Sequence, residues 1–139
     1  SNGYCVLVAG GEVWCAGYGS EVGDGTGSGT TLLQPVRAEV SNVVSLVGGG
    51  NHTCALRADR TVACWGGNTS GQTGLDTDAP SVLTPQVLPL TDVVQLAAGA
   101  GHTCALRGDG TVYCWGANYA GQLGDGTFLA RFAPTRVAL

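Results

Sequence analysis

Apolar residues recur at every second position in two short runs, Cys5 and Leu7 followed by Val13 and Cys15. The arrangement returns at Cys54, Leu56, Val62 and Cys64, and again at Cys104, Leu106, Val112 and Cys114. A period of two places such residues on one face of a strand, so each set predicts a two-stranded hairpin with one apolar face. In all three sets that face is expected to lie between stacked sheets. The opposite face, with Arg57, Arg107 and Thr111 beside small residues, is mixed. Ahead of the second and third sets, Val43 to Val47 and Val93 to Ala97 read as further buried strands, each followed by small residues that suit close backbone packing. Behind each set comes a glycine-rich segment and then a polar connection, at 27–34, 77–84 and 128–133. Each connection ends in a short strand near Pro35, Pro85 or Pro134. Proline is expected at the start of such a strand, on a sheet edge, because it has no N–H for the ladder.

Cys5, Cys54 and Cys104 stand 49 and 50 residues apart, so the whole arrangement repeats with a period near fifty. A unit of that size cannot bury its own apolar face and must stack on its neighbours. Four short, glycine-punctuated strands per period without a helical pattern are the signature of a propeller blade. The expected fold is therefore all-β: a partial β-propeller of about three repeats of roughly 50 residues, with four short antiparallel strands per blade. Residues 1–42 form the first unit, which lacks its inner strand, 43–92 the second and 93–139 the third.

Composition narrows the class. Charged residues make up 12% of the 139, and glycine contributes 24. Such a chain suits tight turns between strands and excludes coiled coils and disordered tails. A net charge of −4 with only six arginines leaves no basic stripe for a phosphate backbone, which excludes nucleic acid as a partner. No apolar run is long enough for a membrane span, and none resembles a signal peptide.

The six cysteines form three pairs, Cys5/Cys15, Cys54/Cys64 and Cys104/Cys114, each with nine residues between. In the third copy Gly108-Asp109-Gly110 fits a three-residue hairpin loop, a type I turn closed by a left-handed glycine. Arg107 then faces Thr111, and Cys104 faces Cys114 with a Cα separation of about 4.5 to 5.5 Å, within the reach of a disulfide. The same construction pairs Cys5 with Cys15 and Cys54 with Cys64, although Arg60 then takes the left-handed place at a cost of about 1 kcal/mol. In this register Gly11 and Gly110 are expected to tolerate substitution worse than Asp109. Three intra-hairpin disulfides are the favoured reading, with buried free thiols and metal ligation as alternatives; zinc sites use closer spacings. Each bridge would add roughly 2 to 3 kcal/mol and imply an oxidising, extracellular compartment.

Residues 101–124 read Gly-His-Thr-Cys-Ala-Leu-Arg-Gly-Asp-Gly-Thr-Val-Tyr-Cys-Trp-Gly-Ala-Asn-Tyr-Ala-Gly-Gln-Leu-Gly, and 52–74 repeat most of that string. This resembles the repeat of the regulator of chromosome condensation family. The resemblance implies a β-propeller, in the family commonly of about seven blades. It also implies functions that range from guanine nucleotide exchange on a small GTPase to β-lactamase inhibition and protein interaction. The paired cysteines, the acidic balance and the low repeat number depart from the family. No catalytic or GTPase-contacting residue carries over.

The remaining candidates are modest. His52 and His102 occur once per repeat without a nucleophile or further ligands, so they read as structural histidines hydrogen-bonded within their blade. Asp24 and Asp125, in Gly-Asp-Gly-Thr turns, are weak calcium candidates. Asn51 and Asn68 head glycosylation sequons. Trp65 and Trp115 hold one motif position and read as inter-blade packing. Tyr18, Tyr119 and Phe128 are the candidate binding residues. No catalytic residue, metal site or cofactor is expected.

The functional expectation is a non-catalytic, secreted or cell-surface propeller module that binds a protein partner or builds surface structure through loops 17–34, 69–84 and 119–133. Lectin-like glycan binding through the three aromatics is the rival, and nucleotide exchange by family analogy a third. Because the first unit lacks an inner strand and the last stops before the next one, the chain is expected to meet further blades or copies through open sheet edges.

Overall fold

The computed structural model describes residues 3–27 and 30–139. Three antiparallel sheets succeed one another along the chain. The first contains β1 (Tyr4–Leu7), β2 (Val13–Tyr18) and β3 (Thr31–Arg37). The second contains β4 (Val43–Gly48), β5 (His52–Arg57), β6 (Val62–Gly67) and β7 (Ser81–Val87). The third contains β8 (Val93–Ala98), β9 (His102–Arg107), β10 (Val112–Gly116) and β11 (Arg131–Val137). Every strand pairs with its sequence neighbour inside its sheet, the up-and-down order of propeller blades.

Within each hairpin the register follows from the loop. The Arg107 amide donates to Thr111 and the Gly110 amide to Arg107, with Gly110 at φ 86°. Leu106 then pairs with Val112, Ala105 with Tyr113 and Cys104 with Cys114. Arg60 occupies the same left-handed place at φ 65°, whereas the first loop puts both Gly10 and Gly11 at positive φ. The cysteines fall on non-hydrogen-bonded pairs, where Cα atoms approach most closely. Disulfides join Cys5 to Cys15, Cys54 to Cys64 and Cys104 to Cys114, each with a Cα separation of 4.1 Å. That is tighter than the 4.5 Å lower bound anticipated for opposed positions.

Asp109 is not the neutral loop position the sequence suggested. Its carboxylate accepts from both the amide and the hydroxyl of Thr111, at 3.0 and 2.6 Å, and Asp59 does the same for Thr61. These bonds hold both carboxyls below the usual range. The outer strands are also longer than anticipated. Pro35, Pro85 and Pro134 lie inside β3, β7 and β11 rather than at their starts. The sheet accommodates each proline by a register break between Cys15 and Gly17, Cys64 and Gly66, or Cys114 and Gly116. At such a break on an edge strand, a missing N–H costs no ladder bond. A single helical turn, α1 (Gly19–Val22), replaces the corresponding loop of the other copies, where the first repeat is two residues shorter.

The sheets stack face to face. Val13 and Cys15 of the first meet Val43, Ala55 and Trp65 of the second, and Cys54, Leu56, Val62 and Cys64 of the second meet Val93, Leu96, Ala105 and Trp115 of the third. The apolar hairpin face thus points toward the next sheet in the first two copies. In the third, Cys104, Leu106 and Val112 are only half-buried, because no described residue covers them.

The two loop glycines differ in their surroundings. A Cβ on Gly110 would meet open space, while one on Gly11 would press on the backbone of Asn42 and Val43 in the second sheet. Gly110→Ala is expected to cost about 1 kcal/mol from φ alone, and Gly11→Ala about 2 to 3 kcal/mol. Urea midpoints of the two variants check the order.

Candidate functional site

The groups that the repeats share converge on the junctions between sheets. Trp65 is fully buried and its indole N–H donates to the Glu21 carbonyl of the preceding repeat at 3.0 Å. Trp115 donates likewise to the Gln72 carbonyl at 2.9 Å. A Cβ on Gly23 or Gly74 would lie 2.8 Å from the respective indole nitrogen, and both glycines have positive φ, so no other residue fits beneath the ring. Backbone bonds complete each junction. The Gly11 and Arg60 carbonyls accept from Val43 and Val93, and the Gly25 and Asp76 amides donate to Leu83 and Phe132. The corresponding Gly110 and Gln122 carbonyls and Gly126 amide of the third sheet have no such partner among the described residues.

His52 belongs to this machinery. Its Nε2 lies 2.8 Å from the Thr103 hydroxyl in the next sheet, so the bond crosses the junction instead of staying within the blade as anticipated. Gly49 leaves the space that the ring fills. The side chain is 2% exposed and Nδ1 is buried without a partner. A trapped N–H there would cost more than a lone pair, so the proton sits on Nε2 and Thr103 accepts. Burial first, and His102 second, push the His52 pKa down to about 4, which keeps the ring neutral at physiological pH. In the first sheet Gly3 holds this place, leaving a cavity of about 170 Å³ bordered by Thr53, Leu46 and His52.

Opposite the hairpin loops lies a second set of loops, held by the repeated asparagine. Asn118 donates to the Thr127 and Leu129 carbonyls and accepts from the Leu123 amide; Asn68 makes the equivalent bonds to Thr77, Ala79 and Thr73. Asn68 is 1% exposed with its amide nitrogen bonded, so the folded chain cannot present that sequon, whereas Asn51 is exposed. Asp24 and Asp125 cap their own turns through Thr26 and Thr127, and Asp125 also binds Arg131 at 2.6 Å. The Arg131 guanidinium and Thr127 hydroxyl hold the Asp125 carboxyl well below the usual range.

Of the candidate binding residues, Tyr119 (81% exposed) and Phe128 (75%) share the third-sheet loop. Tyr18, at the end of β2, is 38% exposed and stands two sheets away. Two further exposed or half-exposed side chains there, Leu129 and Phe132, escaped the sequence reading. Both sit in a segment read as polar connection, where no periodicity marks them.

Stacked antiparallel sheets, the second and third each anchored into the repeat before by a buried tryptophan, define a β-propeller repeat protein. A profile of the regulator of chromosome condensation (RCC1) repeat matches residues 61–106 and 109–139, and a second profile of that repeat matches 43–72 and 93–122. The chain belongs to the RCC1 repeat family. Alsin from Homo sapiens and from Rattus norvegicus is 41% identical over 66 residues, which is 45% of this chain and 4% of Alsin. Prp20p from Saccharomyces cerevisiae superposes on all of this chain and 37% of its own, with a TM-score of 0.87 and 23% identity. Yeast RCC1 (Prp20) in its complex with Kap60 gives 0.83 and 26% over 99% of this chain and 36% of that one. Human WBSCR16 gives 0.56 and 21% over the whole chain and 51% of its own. The chain thus spans about 4% of the curated relatives' length.

The histidine supplies a test of the junction. Above its ordinary pKa of 6.5, His52 is neutral folded and unfolded; below it the unfolded chain takes up the proton first, so stability falls as pH drops from 6.5 toward 4. The full loss is about 3 kcal/mol. His52→Gln should flatten the urea-midpoint profile between pH 6.5 and 5, before the carboxylates begin to titrate.

Proposed function

We propose that the chain is a non-catalytic β-propeller module of a secreted or cell-surface protein, whose rigid blades display loops 17–34, 69–84 and 119–133 to a protein partner. One observation carries this reading: the polar groups common to the repeats are committed to the scaffold, while exposed aromatic side chains lie on the loops that differ between copies. Trp65, Trp115, His52, Asn68 and Asn118 all have their polar contacts inside the fold. Tyr119, Phe128 and Leu129 have their side chains in solvent. Binding loops on a rigid frame follow that division.

The described relatives support a protein ligand. Prp20p is characterised by its binding to Gsp1p and histones, and yeast RCC1 by its complex with Kap60. The three disulfides support an oxidising compartment. The unengaged Gly110 and Gln122 carbonyls and Gly126 amide support a continuing stack, in which a further repeat, from the parent chain or another copy, supplies a strand and an indole.

Two measurements test the reading. Alkylation of the native protein should add nothing to the intact mass, and reduction should open six thiols; native alkylation at six sites would remove the extracellular assignment. A glycan array should give no signal. A signal lost in Tyr119→Ala would replace the protein partner with a sugar.

A further inference from the structure

The loop surface carries more than variability. Tyr119, Phe128 and Leu129 are 81, 75 and 64% exposed. They stand on one loop: Asn118 gathers its carbonyls at Thr127 and Leu129, and Phe128 reaches back to Gly121. Three residues further along the same segment, Phe132 lines a notch of about 530 Å³ together with Asp76, Thr77 and Asp78 of the second repeat. The notch is fixed in place, because the Asp76 amide donates to the Phe132 carbonyl at 2.7 Å. Exposed apolar side chains on a segment that also lines a formed concavity mark an interaction surface.

Charge decides what the surface takes. Around the notch the carboxylates of Asp76 and Asp78 and that of Asp125 on the neighbouring loop stand against a single nearby cation, Arg131. Arg131 is already engaged by Asp125, while Asp76 and Asp78 have no cationic partner among the described residues. A second copy of this chain would bring the same acidic surface and be repelled. A neutral glycan would gain nothing from the carboxylates.

We propose that this surface docks a basic, apolar-anchored segment of a partner polypeptide: a lysine or arginine enters the notch between Asp76, Asp78 and the Phe132 ring, and an adjacent apolar side chain covers Phe128 and Leu129. The cation meets two carboxylates and a ring face, and the neighbouring anchor excludes water from both. The proposal rests on the protein-binding reading above and specifies the partner's chemistry.

The experiment uses fluorescein-labelled peptides of alternating lysine and leucine, glutamate and leucine, or lysine and serine, titrated by anisotropy against the intact chain. The lysine–leucine peptide should bind tightest and weaken with added salt. Asp76→Asn with Asp78→Asn should weaken it roughly tenfold, and Phe128→Ala by a similar factor. Glu12→Gln with Glu39→Gln, the same charge change at the hairpin end, should leave binding unchanged; equal weakening there would reduce the effect to net charge and overturn the proposal. Tighter binding of the glutamate–leucine peptide, sensitive to Phe128→Ala, would overturn the basic partner while keeping the loops as a protein-binding surface. Binding of none of the three would remove both readings. Self-association abolished by Phe128→Ala in light scattering would make a second copy the occupant, and the proposal would fall.

Discussion

The structure depends on an indole N–H finding a carbonyl in the repeat before it. Burying a tryptophan supplies the largest apolar contact that a junction of this size can hold, but its N–H must be satisfied or the burial loses much of its value. Glu21 and Gln72 meet that need with main-chain carbonyls, so the bond does not depend on their side chains. The same requirement fixes Gly23 and Gly74, because the ring lies where a Cβ would stand. Sheet spacing, the shape of the turn and the orientation of the following loop are thereby set together.

Around that contact the histidine and asparagine play parallel parts. Each fills a space inside the fold and directs a polar atom at a group that the strand ladders do not reach. His52 ties the inner corner of one sheet to Thr103 of the next, and Asn118 gathers the amide and carbonyls of a loop that has no ladder of its own. A network of this kind is costly when incomplete. The first sheet shows as much: with Gly3 for histidine and Ala16 in the tryptophan position, Thr53 is left with the Cys5 sulfur at 4.0 Å, beside a cavity.

Much of this was legible from residue order. Period-two alternation located both hairpin strands in each copy, and a three-residue loop fixed the pairing of Leu106 with Val112. The fold class followed from the fifty-residue period. What escaped was whatever depends on the distance between units. Thr103 gives no sign in the sequence that it answers His52, fifty-one positions away. The length of β3, β7 and β11 escaped because a register break suppresses alternation where the prolines sit. The notch at Phe132 escaped because it is made by a loop of one repeat and the start of the outer strand of the next, and neither stretch has a pattern alone.

The disulfides are local to their hairpins. None crosses a junction, so no repeat holds a thiol that another must complete. A lineage can therefore gain or lose a repeat by duplication or deletion without changing cysteine parity or creating an unpaired sulfur that would scramble during oxidation. Covalent closure inside each unit, with only non-covalent contacts between units, leaves copy number free to vary while every copy closes its own disulfide.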